Sequence, residues 1–126
     1  SAVHIARSYY RGGFRREAIS YYERAIEADG DNLLVLNNLA WTYAEEGVEL
    51  DRAQTLSLRT VKADEENVVY LDTYAEVLYR KGETARAIAV MQQALEIEGE
   101  SGEQFSYLQE QMARFRNESA DLRRGS

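Results

Sequence analysis

Small and large apolar residues recur along the chain at steps of 34 and 35 residues. The pair Ile5-Ala6 is followed at these steps by Leu39-Ala40 and then by Tyr74-Ala75. The same steps relate three further sets of positions: Tyr9, Tyr43 and Leu78; Ala18, Ala53 and Ala87; and Ala25, Thr60 and Ala94. A fixed period near 34 is typical of stacked helix–turn–helix units, because no single unit can bury its apolar face alone. The pattern therefore predicts an all-α solenoid.

Each period divides into two helical segments. Apolar residues fall at i, i+3 and i+4 steps within a segment. Glycine, asparagine and aspartate mark the segment ends, because the chain contains no proline. We predict three repeats, at about residues 1–32, 33–67 and 68–101. The second repeat is one residue longer than the third, and we place the extra residue at Val48-Glu49.

A further apolar stripe follows the third repeat, at Phe105, Leu108, Met112 and Phe115. It predicts a helix over residues 102–116, with Ser101 and Gln104 forming a capping box. This segment has no second helix after it, so we expect it to cap the last repeat. The alternative is that it swings out and offers its stripe to a partner. Residues 1–116 are thus predicted to form a single domain, and the polar residues 117–126 a frayed tail.

The repeated positions resemble those of the tetratricopeptide repeat family over about residues 2–116. In its first helices that family has a large and a small residue, then an aromatic residue or leucine, then glycine. The chain matches this order with Leu39-Ala40, Tyr43 and Gly47 and with Tyr74-Ala75, Leu78 and Gly82. The second helices of the family carry a small, a large and a small residue. The matches here are Ala18, Tyr22 and Ala25 and then Ala87, Met91 and Ala94.

The chain lacks the proline that the family has between repeats, and two of its segments resemble bacterial members. The proline between repeats is replaced by Gly30, Glu65 and Gly99. Residues 36–41 and 71–75 are similar to bacterial members of the family, so we expect a bacterial source.

The resemblance implies a right-handed solenoid that acts as a scaffold, binding a peptide or helix of a partner protein in its concave groove. Structural self-association, as a homodimer or by end-to-end stacking, is the alternative function.

The resemblance also implies which residues face the groove, since the first helix of each pair lines it. By spacing, these residues are Arg7, Tyr10, Asn37, Asn38, Trp41, Asp72, Thr73, Glu76, Tyr79 and Arg80. The same spacing adds Arg11 and Glu45, and the last helix adds Tyr107. Amide side chains such as that of Asn38 can bond a peptide backbone, and Trp41 offers a rigid apolar surface. The alternative for Trp41 is that it packs between neighbouring first helices.

The expected ligand is a neutral or basic segment of another protein, because Asp72 and Glu76 would make the middle of the groove acidic. Some family members instead clamp a terminal carboxylate of a chaperone tail with Lys, Asn, Asn, Lys and Arg. The matching positions here are Val3, Arg7, Asn38, Val69 and Thr73. Only Asn38 agrees, and the missing cations would leave the desolvated carboxylate without compensation. We therefore do not extend the resemblance to that specialised function.

Charge and composition argue against several other functions. Carboxylates outnumber basic side chains 22 to 15, and the net charge of −7 disfavours nucleic acid and anionic membranes as partners. His4 is the one histidine and there is no cysteine, so we expect no metal, no cofactor and no catalysis. The absence of cysteine is compatible with a cytoplasmic or a periplasmic location. The chain opens within a helical pattern, so we expect a fragment of a longer protein.

Overall fold

The computed structural model describes the backbone of residues 1–125 and the side chains of residues 1–118. This part of the chain forms seven helices and no strand. The helices are α1 (Ala2–Arg11), α2 (Arg15–Ala28), α3 (Leu33–Glu46), α4 (Leu50–Ala63), α5 (Val68–Arg80), α6 (Thr84–Glu98) and α7 (Phe105–Gly125). None of the described helices is both long enough and apolar enough to cross a membrane.

The helices pack in the order of the chain. The most closely packed pairs are α1 with α2, α3 with α4, and α5 with α6. Each second helix also packs on the next first helix, so that α2 covers α3, α4 covers α5 and α6 covers α7. The first helices α3 and α5 contact each other as well. This arrangement confirms the all-α solenoid predicted from the period of the sequence.

Small residues allow the two helices of each repeat to approach closely. One alanine of each first helix and one of each second helix is fully buried; these are Ala6 and Ala18, Ala40 and Ala53, and Ala75 and Ala87. Helix axes 8–10 Å apart require small side chains at the crossing, with larger residues filling the grooves beside it. The larger residues form two clusters, one centred on α2 and α3 and the other on α5, α6 and α7.

The turn inside each repeat is built the same way three times. A glycine with positive φ ends the first helix, at Gly13 (86°), Gly47 (69°) and Gly82 (88°). The amide of the next residue then donates to the carbonyl five positions back, as from Val48 to Tyr43 at 3.0 Å. The extra residue of the second repeat is Glu49, which is the one described residue other than glycine with positive φ, at 50°.

The last helix differs from its prediction at both ends. It begins at Phe105 rather than residue 102, and the Leu108 amide donates to the Gln104 carbonyl at 2.9 Å. Ser101 is therefore not the N-cap. Glu98 replaces the expected capping box, because its carboxylate accepts a bond from the Gln104 amide at 2.7 Å.

The same helix continues through the residues predicted as a frayed tail and ends at Gly125, while Ser126 lies outside the described residues. Residues 117–124 contain Glu, Ala, Leu and Arg, all strong helix formers, and no glycine or proline. Helix propensity therefore extends the helix where the sequence shows no apolar periodicity.

The turns between repeats generate a prediction for proline at two glycines. Gly30 lies outside the left-handed region, and its amide makes no backbone hydrogen bond among the described residues. We expect Gly30→Pro to raise the free energy of unfolding by about 0.4–1 kcal/mol, since proline restricts the unfolded chain.

Gly99 is the matched control, because its φ of 73° and its amide bond to Leu95 at 2.9 Å both exclude proline. Gly99→Pro should destabilise the protein by more than Gly30→Pro stabilises it. Urea unfolding of the two variants measures both effects. A Gly30→Pro variant less stable than the parent would contradict the prediction.

Candidate functional site

A cavity of about 330 Å³ opens between α1 and α3, with one side chain of α2 at its edge. Its lining combines two arginines, three aromatic residues, one aliphatic residue and two small polar residues. They are Arg7 and Arg11; Tyr10, Tyr22 and Trp41; Leu34; and Asn38 and Thr42. Five residues predicted from spacing therefore meet here, namely Arg7, Tyr10, Arg11, Asn38 and Trp41.

A chain of hydrogen bonds fixes the aromatic wall of this cavity. The Trp41 indole Nε1 donates to the Tyr10 hydroxyl at 3.2 Å, and that hydroxyl donates to Glu45 Oε1 at 2.6 Å. Arg15 Nε lies 3.4 Å from the same carboxylate oxygen. Burial, followed by the neighbouring Glu45 carboxylate, raises the pKa of Tyr10 and keeps its hydroxyl protonated. Trp41 thus packs against α1 and also lines the cavity. The two alternatives for this residue, packing between first helices and facing the groove, therefore do not exclude each other.

The cavity is electropositive. Arg7 and Arg11 are exposed, and neither forms an ion pair with the side chains of residues 1–118. No carboxylate of residues 1–118 lines the cavity, and the nearby Glu45 is already bound by Tyr10 and Arg15. The arrangement offers two guanidinium groups, an amide and a rigid aromatic surface to a ligand.

The two neighbouring asparagines have different environments. Asn38 is half-buried and lines the cavity. Asn37 is buried, is absent from the cavity lining, and has a side-chain oxygen without a hydrogen-bond partner among the described residues. Because adjacent helical residues point about 100° apart, the pair cannot serve one surface. The structure therefore does not support Asn37 as an accessible groove residue.

Three of the predicted groove residues of the third repeat are buried. Asp72, Thr73 and Glu76 are only 6%, 2% and 1% exposed. Tyr107 donates to one Asp72 oxygen at 2.8 Å, and Gln111 donates to the other at 3.0 Å. The prediction that these three residues face an open groove does not hold, because all three are buried and α7 bonds Asp72 and Glu76.

Glu76 is held from two sides. Arg114 of α7 hydrogen-bonds its carboxylate, and Arg80 of the same helix donates to it at 2.7 Å. The neighbouring Tyr79 ring stacks on Phe115 of α7, with centroids 4.6 Å apart. Of the predicted residues in this repeat, only Arg80 is exposed. The prediction of a neutral or basic ligand relied on Asp72 and Glu76, and it loses its basis because both acids already have partners.

A sequence signal for this network exists. Tyr107, Gln111 and Arg114 follow one another at steps of four and three residues, which places three polar side chains on one face of α7. Asp72 and Glu76, four apart on α5, present the complementary acceptors. The apolar stripe of α7, on which the prediction relied, does not indicate this second, polar stripe.

Comparisons with known proteins agree with this fold. Two family models of the tetratricopeptide repeat match the chain, one over residues 1–34 and the other over residues 21–55. The second such domain of human RPAP3, solved in complex with the HSP70 peptide SGPTIEEVD, has a TM-score of 0.74 and 19% identity, with 92% of each chain covered. The first such domain of Spaghetti (RPAP3), bound to the HSP90 peptide SRMEEVD, has a TM-score of 0.74 and 17% identity over 94% of this chain and 93% of its own. No curated protein sequence gives a match.

The fold and the family models together define the class of protein. Tetratricopeptide repeat models match residues 1–55, and the described helices adopt the fold of tetratricopeptide repeat domains, with three helix pairs followed by α7. The bacterial source stays a prediction.

The buried carboxylate of Asp72 generates a prediction about pH. Burial raises the pKa of Asp72 above its ordinary value of 3.8, and the bonds from Gln111 and Tyr107 only partly oppose this shift. The folded state therefore binds the proton more tightly than the unfolded state. The free-energy cost of burying the charged carboxylate is present at neutral pH and is relieved as the pH falls.

Asp72→Asn removes this titration and keeps an acceptor for Gln111. Lowering the pH from 7.5 to 5.5 should therefore stabilise the parent protein relative to Asp72→Asn. Chemical denaturation of both proteins at the two pH values measures the difference. A parent that loses stability relative to the variant on acidification would show that Asp72 is stabilised as a carboxylate.

Proposed function

We propose that this chain is a protein-interaction module that binds an extended peptide or short helix of another protein in the groove between α1 and α3, without catalysis. The observation that carries the proposal is the cavity in which Arg7, Arg11, Asn38 and Trp41 converge. The bonds from Trp41 to Tyr10 and from Tyr10 to Glu45 hold the aromatic wall in place before a ligand arrives. Preorganisation of this kind lowers the entropy cost of binding.

The chemistry of the lining favours a neutral or acidic segment. Two arginines without ion-pair partners among the described residues can bond carboxylates, with two parallel bonds each in the best geometry. The Asn38 amide can accept from and donate to a peptide backbone, and Trp41 can pack against an apolar side chain. The domains of RPAP3 and Spaghetti with this fold support a peptide ligand, since the peptides solved with them end in Glu-Glu-Val-Asp.

The mode of binding we propose differs from a clamp on a terminal carboxylate. Such a clamp needs cations at the positions of Val3, Val69 and Thr73, and Thr73 is also buried. The positive charge of this chain lies instead on α1, at Arg7 and Arg11. We therefore assign recognition to acidic or polar side chains along the peptide rather than to its end.

Four of the residues predicted from spacing support the fold rather than the ligand. Asn37 of the second repeat and Asp72, Thr73 and Glu76 of the third are buried, and Asp72 and Glu76 bond α7. Arg80 is exposed at the end of α5, and Tyr79 is half-buried against Phe115. These two remain candidates for the far end of the ligand.

Binding can be tested with the peptide SRMEEVD and a counterpart in which lysines replace its acidic residues. We expect the acidic peptide to bind with a dissociation constant of about 1–100 μM, and the lysine counterpart to bind at least about tenfold more weakly. Trp41→Ala combined with Asn38→Ala should abolish binding with little change in fold. The fluorescence anisotropy of dye-labelled peptides measures the two peptide affinities and the effect of the double variant.

A charge-matched pair of double variants separates the site from general electrostatics. Arg7→Glu with Arg11→Glu should abolish binding, whereas Arg16→Glu with Arg52→Glu changes the net charge equally and leaves the cavity intact. Equal losses of peptide affinity in both double variants would show that long-range charge, and not the cavity, accounts for binding. Undiminished binding by the Trp41 and Asn38 double variant would remove the groove as the site.

A further inference from the structure

Two large apolar side chains are exposed at the same position of neighbouring first helices. Leu34 is the second residue of α3 and Val69 is the second residue of α5, and they are related by the step of 35 that also relates Ala40 to Ala75. Leu34 is 49% exposed and Val69 is 48% exposed. Single exposed apolar residues are ordinary, whereas grouped ones mark an interaction site. We call these two residues the Leu34–Val69 surface.

This surface continues the cavity between α1 and α3. Leu34 lines the cavity together with Trp41, which follows it by seven positions and therefore lies on the same face of α3. Val69 and Glu76 have the same spacing on α5, and there Glu76 is buried while Val69 is exposed. Val69 thus extends the face that lines the cavity onto the next first helix.

The spacing of the two helices favours one conformation of the ligand. Helices α3 and α5 contact each other, and packed helices lie about 8–10 Å apart. In a polyproline II segment, side chains three positions apart share one face and lie about 9 Å apart along the segment. Side chains on one face of a β-strand are about 6.6 Å apart at a spacing of two, and those of a helix are about 6 Å apart at a spacing of four. Of these three spacings, that of polyproline II matches the two helices.

A helix could match the same distance with residues seven positions apart, because these are about 10.5 Å apart along its axis. A helix with its side chains is at least about 10 Å wide, however, so two of its turns occupy more than the cavity of about 330 Å³ that the ligand enters beside Trp41. The Leu34–Val69 surface therefore favours an extended ligand over a short helix.

We propose that the Leu34–Val69 surface binds two apolar side chains, three positions apart, of an extended polyproline II segment in a partner protein. An acidic residue next to this apolar pair reaches Arg7 and Arg11. The inference rests on the proposed peptide groove and names the class of segment that the groove recognises. Both arginines lie in the cavity that Leu34 also lines, so the acidic residue belongs on the α1 side of the apolar pair.

Three peptides of one composition test the spacing. In EDLSSLSDE the leucines are three positions apart, in EDLSLSSDE two and in EDLSSSLDE four. Acidic residues flank both ends, so either direction of the peptide presents one to the arginines. We expect the peptide with a spacing of three to bind at least about tenfold more tightly than the other two. Fluorescence anisotropy of the dye-labelled peptides measures the three affinities.

Two double variants show where the preference arises. Leu34→Ser with Val69→Ser should remove the preference and leave weak, equal binding of all three peptides. Phe14→Ser with Val48→Ser is the matched control, because it removes two exposed apolar side chains outside the cavity and should keep the preference.

Salt separates the apolar contact from the charged one. Raising the salt concentration from about 50 to about 500 mM should weaken the binding of all three peptides, because it screens the contact with Arg7 and Arg11. The ratio of their affinities should stay constant, since burial of leucine involves no charge.

Several results would overturn the proposal, and they are distinct from failure of the peptide groove itself. Tightest binding at a spacing of two would indicate a β-strand, and at a spacing of four a helix. A preference that survives Leu34→Ser with Val69→Ser would place the leucines elsewhere. Equal affinities that Arg7→Glu with Arg11→Glu abolishes, or binding of SRMEEVD alone, would exclude this surface while the groove stands. Failure of SRMEEVD and of all three peptides to bind would remove the groove and this proposal with it.

Discussion

The close approach of paired helices is the constraint on which the rest of the structure depends. Each repeat can stack only if its two helices cross at small side chains, and Ala6, Ala40 and Ala75 meet that requirement in the first helices. The second repeat shows that size matters more than polarity. Thr60 of α4 stands where α2 and α6 carry alanine, is fully buried, and donates its hydroxyl to a carbonyl of its own helix at 2.7 Å.

Stacking leaves the end of the third repeat uncovered, and α7 resolves this in two ways at once. Its apolar stripe joins the cluster around Met91, and its polar stripe bonds Asp72 and Glu76. Buried carboxylates are costly unless paired, so α7 and the two acids depend on each other. The same contact closes the groove at α5 and leaves the cavity between α1 and α3 as its open part.

Local rules made much of the fold predictable. The period of 34, the alanine positions and the glycine turns predict the paired helices, and they place the extra residue at Val48-Glu49, where the structure has Glu49 with positive φ. The extent of α7 was not predictable from apolar periodicity, because helix propensity rather than packing extends it to Gly125.

The candidate site was less predictable, because it depends on which surfaces meet in space. Spacing on a helix placed Arg7, Tyr10, Asn38 and Trp41 on one predicted surface, and the structure brings these four residues to one cavity. It does not reveal that a later helix covers Asp72 and Glu76, so the charge assigned to the groove was reversed. The bond between Tyr10 and Glu45 joins residues 35 positions apart and has no local signature.

The central claim is that α7 is a fixed part of the domain and closes the third repeat. Amide hydrogen exchange tests it most directly, because exchange reports the stability of each helix separately. The account predicts that amides of residues 108–115 exchange as slowly as those of residues 71–78 in α5. Exchange of residues 108–115 at the rate of an unstructured peptide, with α5 still protected, would contradict it and reopen Asp72 and Glu76 to a partner.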